Sequence, residues 1–211
     1  MYDLKKKIIF LHPPKCGGTS IEQLLGFLEE RQKNPNINFF KHASLREHIQ
    51  EVSKISDPNK FFKFSIIRNP WDRAVSYYNH KKFKAYISFL HKGYAFYEMP
   101  ENVKDAKKLT FKEYIFKYFP NEFNSEKQTK PFMLFEENFY LQYVIRFEFL
   151  KKDIYSIRQK IGIGNDYIIP HLNDSSIYLE KKDYKEYYDE ESKNLIENLF
   201  KWDILKFNYK F

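Results

Sequence analysis

The chain has 211 residues, with 36 Lys and Arg against 28 Asp and Glu, a formal net charge of +8 and an aromatic content of 19%. That length suits one α/β domain with a modest insertion. The single cysteine, Cys16, excludes an intramolecular disulfide and a cysteine-based metal cluster. No apolar stretch approaches the roughly 18 residues of a spanning helix, and the apolar run after residues 1–7 is too short for a secretion signal, so a soluble, cytoplasmic chain without a transmembrane segment is expected. A basic, aromatic surface suits acidic or carbohydrate ligands. With no recognition-helix or RNP signature, nucleic acid is not an expected partner.

The first element is Ile8-Ile9-Phe10-Leu11, a short buried-strand run, and Ile21, Leu24, Leu25 and Leu28 then repeat at helical spacing. Between them lies His12-Pro13-Pro14-Lys15-Cys16-Gly17-Gly18-Thr19-Ser20, which puts a cation, two glycines and two hydroxyls into a strand-to-helix turn. The N-terminus of a helix turns unpaired N–H groups and the positive end of its dipole toward the turn, where an anion is favoured. Gly17 and Gly18 admit close approach of backbone to a ligand, Lys15 adds a mobile charge, and Thr19 and Ser20 cap the helix or donate to phosphate oxygens. In the triphosphatase loop G-x-x-x-x-G-K-[ST] the lysine follows the last glycine. Here Lys15 precedes the glycine pair and the magnesium-binding hydroxyl has no counterpart, so no metal is expected. The plain alternative is a strand-to-helix turn with an incidental lysine.

Asn38-Phe39-Phe40-Lys41 reads as a second strand, and a helix begins near Ser44. His42 therefore falls at a strand tip, on the edge where open parallel sheets bind ligands. Phe61-Phe62-Lys63-Phe64-Ser65-Ile66-Ile67 reads as a third strand and runs into Arg68-Asn69-Pro70-Trp71-Asp72-Arg73-Ala74-Val75-Ser76-Tyr77-Tyr78. Asn69 is placed as an N-cap and Pro70 as the first helical residue. Arg73, Ser76, Tyr77 and His80 then share one helical face. Arg68 at the strand tip and Ser76 on the following helix make a clamp for a second phosphate, since guanidinium binds phosphate through two parallel bonds. A capped amphipathic helix with surface-paired arginines is the alternative.

Together P-K-x-G-G-T-S (Pro14 to Ser20) and R-N-P-x-x-R-x-x-S-Y-Y (Arg68 to Tyr78) resemble the sulfotransferases, closest to the carbohydrate branch that includes heparan sulfate 2-O-sulfotransferase and its bacterial relatives. The resemblance implies a P-loop-like α/β three-layer sandwich with a central parallel sheet. It also implies 3′-phosphoadenosine-5′-phosphosulfate (PAPS) as sulfuryl donor and a carbohydrate or glycan acceptor. Lys15, Cys16, Gly17, Gly18, Thr19 and Ser20 would then hold the 5′-phosphosulfate, and Arg68 and Ser76 the 3′-phosphate. Arg146-Phe147-Glu148, the loop from Pro170 through Ser175 and the closing stretch to Phe211 are similar to later family landmarks, so the resemblance reaches both ends of the chain. It implies contacts from His171, Asn173 and Ser175 to the adenosine part; an ordinary Asn-Asp-Ser turn is the alternative. Cys16 departs from the threonine or small residue usual in relatives, and a thiol donates more weakly than a hydroxyl.

Sulfuryl transfer is close to phosphoryl transfer, so positioning and charge stabilisation dominate and a hydroxyl acceptor needs a base. Lys15 is placed to meet charge on the departing phosphate. Of the six histidines, His42 is the first choice as base, in a position that also resembles the H-x-S segment bearing the catalytic histidine of the 2-O-sulfotransferase. His80 is second and His12 third. A Cys16 nucleophile is disfavoured, because sulfuryl transfer needs no covalent intermediate.

Residues 85 to about 140 read as a helical, aromatic insertion, with a short helix over 110–118, and are expected to form or cover the acceptor site. The rest returns to the core: a strand over 143–147, then stripes of Phe147, Leu150, Ile154, Ile157 and Ile161 and of Leu195, Ile196, Leu199 and Phe200. The whole is read as one domain, 1–211. An ATP-dependent kinase and a non-catalytic polyanion-binding module are the competing functions.

Overall fold

The computed structural model describes residues 1–29, 42–91, 99–123, 133–135, 138–170 and 182–211. The chain packs as two compact units, one of Met1–Arg68 with Thr129–Asn173 and the other of Asn69–Gln128 with Asp174–Phe211.

The first unit contains strands β1 (Tyr2–Asp3), β2 (Ile8–Leu11), β3 (Phe62–Ile67), β4 (Leu134–Phe135), β5 (Asn138–Phe139) and β6 (Tyr143–Arg146). Four of them form one mixed sheet in the order β1-β2-β3-β6, while β4 and β5 make a separate antiparallel pair. β2, β3 and β6 are parallel, with Leu11 opposite Ser65 and Ile67 opposite Arg146. All four side chains of β2 are buried, as a strand covered on both faces requires. β1 is a short antiparallel edge that the sequence reading lacked. Asp3 Oδ1 accepts from the N–H groups of Lys5 and Lys6, turning the chain back into β2.

The helices of this unit are α1 (Gly18–Leu24), α2 (Leu45–Ser53) and, numbered in chain order past the second unit, α6 (Leu150–Ile157). Ile21 and Leu25 from the α1 segment and Ile154, Ile157 and Ile161 from the α6 segment pack with Ile8, Phe10, Phe64, Ile66 and Ile145 in one core. Each such side chain contributes about 1.5–3 kcal/mol of apolar burial. α1 is shorter than its apolar stripe because the chain turns at Gly26, with φ +85°. The expected strand over 38–41 lies outside the described residues.

The second unit contains α3 (Pro70–His91), α4 (Glu101–Lys108), α5 (Phe111–Glu122), α7 (Glu190–Leu199) and α8 (Lys201–Phe207). Asn69 caps α3 as expected, its Oδ1 accepting the Trp71 N–H at 3.0 Å. Thr110 and Glu113 form a reciprocal cap on α5. Trp71, Val75, Tyr78, Phe111, Tyr114, Phe119, Ile196 and Phe200 make an aromatic core. Among the described residues no helix is long and apolar enough to cross a membrane.

Candidate active site

The parallel strands of the first unit end together, and their carboxyl ends carry His12, Arg68 and Phe147. This is the edge where open α/β sheets place ligands. β2 passes through residues 12–17 directly into α1, with Lys15 at φ +66° and Gly17 at φ +84°. A left-handed lysine costs about 1–3 kcal/mol and persists only where its surroundings hold it. One such hold is Arg68, whose Nη1 donates to the Lys15 carbonyl oxygen at 3.4 Å.

The two glycines answer to the protein's own side chains. A Cβ on Gly17 would lie 2.5 Å from Cδ2 of Phe147, and one on Gly18 would lie 2.0 Å from Cδ2 of His12. The turn is therefore wrapped tightly on two rings. Cys16 is buried in the core, its Sγ directed at the Pro14 carbonyl oxygen at 3.7 Å. Ser20 is buried, and its N–H donates to the Gly17 carbonyl oxygen at 3.3 Å. Thr19 is partly exposed. Gly17 supplies no side-chain cap to α1, and the first turn has no acidic residue. Those conditions favour an anion at the helix start.

Beneath the turn, His12 is 3% exposed and its Nδ1 is paired with Oε1 of Glu22, which is 0% exposed. The sequence reading missed Glu22. Its signal was a charge set between Ile21 and Leu25 on the face that their spacing marks as buried.

His42 is exposed and stands edge-on to His12, with ring centroids 4.9 Å apart. Its Nδ1 lies 2.7 Å from the His12 carbonyl oxygen. A carbonyl only accepts, so Nδ1 carries the proton and the neutral ring has its lone pair on Nε2. The ring is held at the start of α2, where Ser44 and Glu47 form a reciprocal cap. His48, further along α2, is a different kind of histidine. It is buried, donates from Nδ1 to the Ser44 carbonyl oxygen at 2.7 Å, contacts the Met1 amino group through Nε2, and is held well below the usual imidazole range by burial.

The Arg68 guanidinium lies over the Phe147 ring, 4.3 Å from its centroid. Phe147 thus touches both the cation and the Gly17 turn. Sequence reasoning put it on a core stripe and in a segment similar to a family landmark but gave it no contact with the turn, because a ring at the end of a helical stripe looks the same in either role.

In the second unit, the face predicted on α3 divides. Arg73 is buried over the rings of Phe123 and Phe200, at 5.6 and 5.5 Å, and Tyr77 donates its hydroxyl to Glu122. Burial raises the Tyr77 hydroxyl well above its ordinary range. Ser76 and His80 are partly exposed. His171, Asn173 and Ser175 lie outside the described residues. Among the described residues no group of three or more His, Cys, Asp or Glu is placed to hold a metal ion.

A mixed α/β sheet whose first parallel strand runs through a lysine-glycine turn into a helix, with an oriented imidazole beside it, defines an α/β protein with a candidate anion site at its sheet edge. The profile of the sulfotransferase family matches residues 1–210. The chain belongs to the sulfotransferase family, and sulfuryl transfer is its general chemistry. Neither the curated proteins nor the solved structures yield a match.

Proposed function

We propose that this chain is a single-domain, P-loop-like enzyme that transfers a sulfuryl group from PAPS to a hydroxyl of a carbohydrate acceptor, with His42 as base and no metal. The observation that carries the reading is the bond from His42 Nδ1–H to the carbonyl of His12, the residue that opens the Lys15 turn. It orients a base beside the loop assigned to the donor.

The residues present fit the donor. The 12–20 turn lies against the start of a helix without an acidic first turn, on glycines that admit no Cβ. Lys15, Gly17, Gly18 and Thr19 would hold the 5′-phosphosulfate, with Cys16 and Ser20 contributing less because their side chains are buried and the Ser20 N–H donates to the Gly17 carbonyl oxygen. By resemblance, Arg68 and Ser76 take the 3′-phosphate, and His171, Asn173 and Ser175 the adenosine part. When bound, the donor supplies an activated sulfuryl group whose leaving group is a phosphate.

The chain's own part is orientation, charge and proton transfer. His42 Nε2 accepts the acceptor hydroxyl proton as the acceptor oxygen bonds to sulfur. Lys15 meets the negative charge left on the departing phosphate as the bond from sulfur to the bridging oxygen breaks. His80 is the second choice for base. The segment 85–140 is assigned to the acceptor, whose described part includes α4 and α5.

Thermal shift with 3′-phosphoadenosine-5′-phosphate, with ATP plus magnesium and with heparin, each with and without chelator, tests the reading. The bisphosphate at a hundred times its dissociation constant should add about 2.7 kcal/mol, independent of chelator. A response to ATP with magnesium and none to the bisphosphate sinks the proposal in favour of a kinase. A response to heparin alone favours a polyanion-binding module.

A further inference from the structure

We propose that Glu22 is a positioning residue that sets both the donor turn and the base, acting through His12; the proposal rests on the sulfuryl-transfer reading with His42 as base. Burying a carboxylate in an apolar core is costly, and packing alone would be served as well by an apolar side chain. What the carboxylate does at this place is hold the His12 imidazole by its Nδ1.

Two things rest on that ring and its backbone. The Gly18 backbone closes on the Cδ2 and Nε2 edge, so tightly that a Cβ would lie 2.0 and 2.4 Å from those atoms. The start of α1 therefore takes its position from the ring. The carbonyl of the same residue receives His42 Nδ1–H at 2.7 Å, and the two imidazoles meet edge-on at 4.9 Å. One buried pair thus links the turn that carries Lys15 to the tautomer of His42. Glu22 sits on α1, so the link closes on itself: the helix that starts at the turn also supplies the carboxylate that fixes the turn's ring.

The experiment uses the full chain with Glu22→Gln, which still offers an oxygen to His12, and Glu22→Met, which does not. Long-range proton–nitrogen spectra report the His42 tautomer without any turnover, and kcat is measured with PAPS and de-O-sulfated heparin as the carbohydrate acceptor. Wild type and Glu22→Gln should show the Nδ1–H tautomer, with kcat within about threefold of each other. Glu22→Met should show averaged tautomers and lose about 10- to 100-fold in kcat, the loss seen when the partner that orients a metal-bound imidazole is removed. If Glu22→Met does not fold, Glu22→Asp withdraws the carboxylate by one methylene and should show the same averaging and loss. Wild-type kcat with an unchanged tautomer in either variant overturns the proposal while leaving the sulfuryl-transfer reading intact. Averaging in Glu22→Met beside a wild type that turns over no PAPS supports the positioning role and sinks the sulfuryl-transfer reading instead.

Discussion

His42 donates Nδ1–H to the carbonyl oxygen of His12 at 2.7 Å, across thirty positions of sequence. The bond leaves Nε2 as the basic nitrogen of an exposed ring. His42→Asn keeps an amide donor for the carbonyl but cannot take a proton. It should lower turnover by about 100-fold or more while bisphosphate affinity, by calorimetry, changes by less than about threefold. Wild-type turnover in this variant would move the base to His80 or to the acceptor itself.

The glycines separate steric from conformational cost. Gly18→Ala forces a Cβ onto the His12 ring and should cost about 1–3 kcal/mol in urea unfolding, with loss of bisphosphate binding. Gly26→Ala, at φ +85° but with open space around it, should cost only about 1–2 kcal/mol of backbone strain and leave binding unchanged. Equal binding by the two variants would remove the turn from the donor site.

Lys15 at φ +66° is a strained residue in the loop proposed to hold the donor. Lys15→Gly relieves the left-handed strain, offset in part by the freedom glycine gains in the unfolded chain. Its thermal midpoint should match or exceed the wild type although turnover is lost. A midpoint well below wild type would mean that the lysine side chain, and not the demand of function, sustains the conformation.

Arg68 combines a charge with a planar group stacked on Phe147 at 4.3 Å. Arg68→Ala should weaken bisphosphate binding by about 10- to 100-fold, the scale of a charged hydrogen bond. Arg68→Lys should recover little of it, because an ammonium neither stacks nor forks. Full recovery in the lysine variant would show that only the net charge matters.

His48 is neutral when folded, with its imidazole held below 6.5 by burial. Between the folded value and about 6.5 the unfolded chain binds more protons, so stability is greatest above that window and falls as pH drops through it. The Met1 amino group, lowered to about 4 by burial, adds the same sign beginning near pH 8. His48→Gln should flatten the fall in unfolding free energy between pH 7 and 5. An unchanged slope would assign the acid sensitivity to other groups.

Local signals in the chain were enough to locate the elements around the site. The apolar run 8–11, the cap at Asn69, the helix start near Ser44 and the stripe through Ile154, Ile157 and Ile161 each act over a few residues and appear where the sequence places them. Thr110, by contrast, reads as the first residue of a helix over 110–118 but caps one that runs from Phe111 to Glu122. The same locality explains the lysine-glycine turn. The short edge strand β1 carried no such signal, since two residues are too few to show a period.

By itself the sequence determined, to within a residue, the strands at 8–11, 62–67 and 143–146 and the helices that begin near Ser44 and at Pro70. It also determined the chemistry available at the turn, because caps, periodicity and glycine act between neighbours along the chain. Tertiary structure decided which side chains meet at the turn. Only folding brings Phe147 against Gly17, buries Glu22 under His12 and points His42 at a carbonyl thirty residues away. Those contacts depend on strand register and on what a buried charge can reach, and neither is written in local spacing.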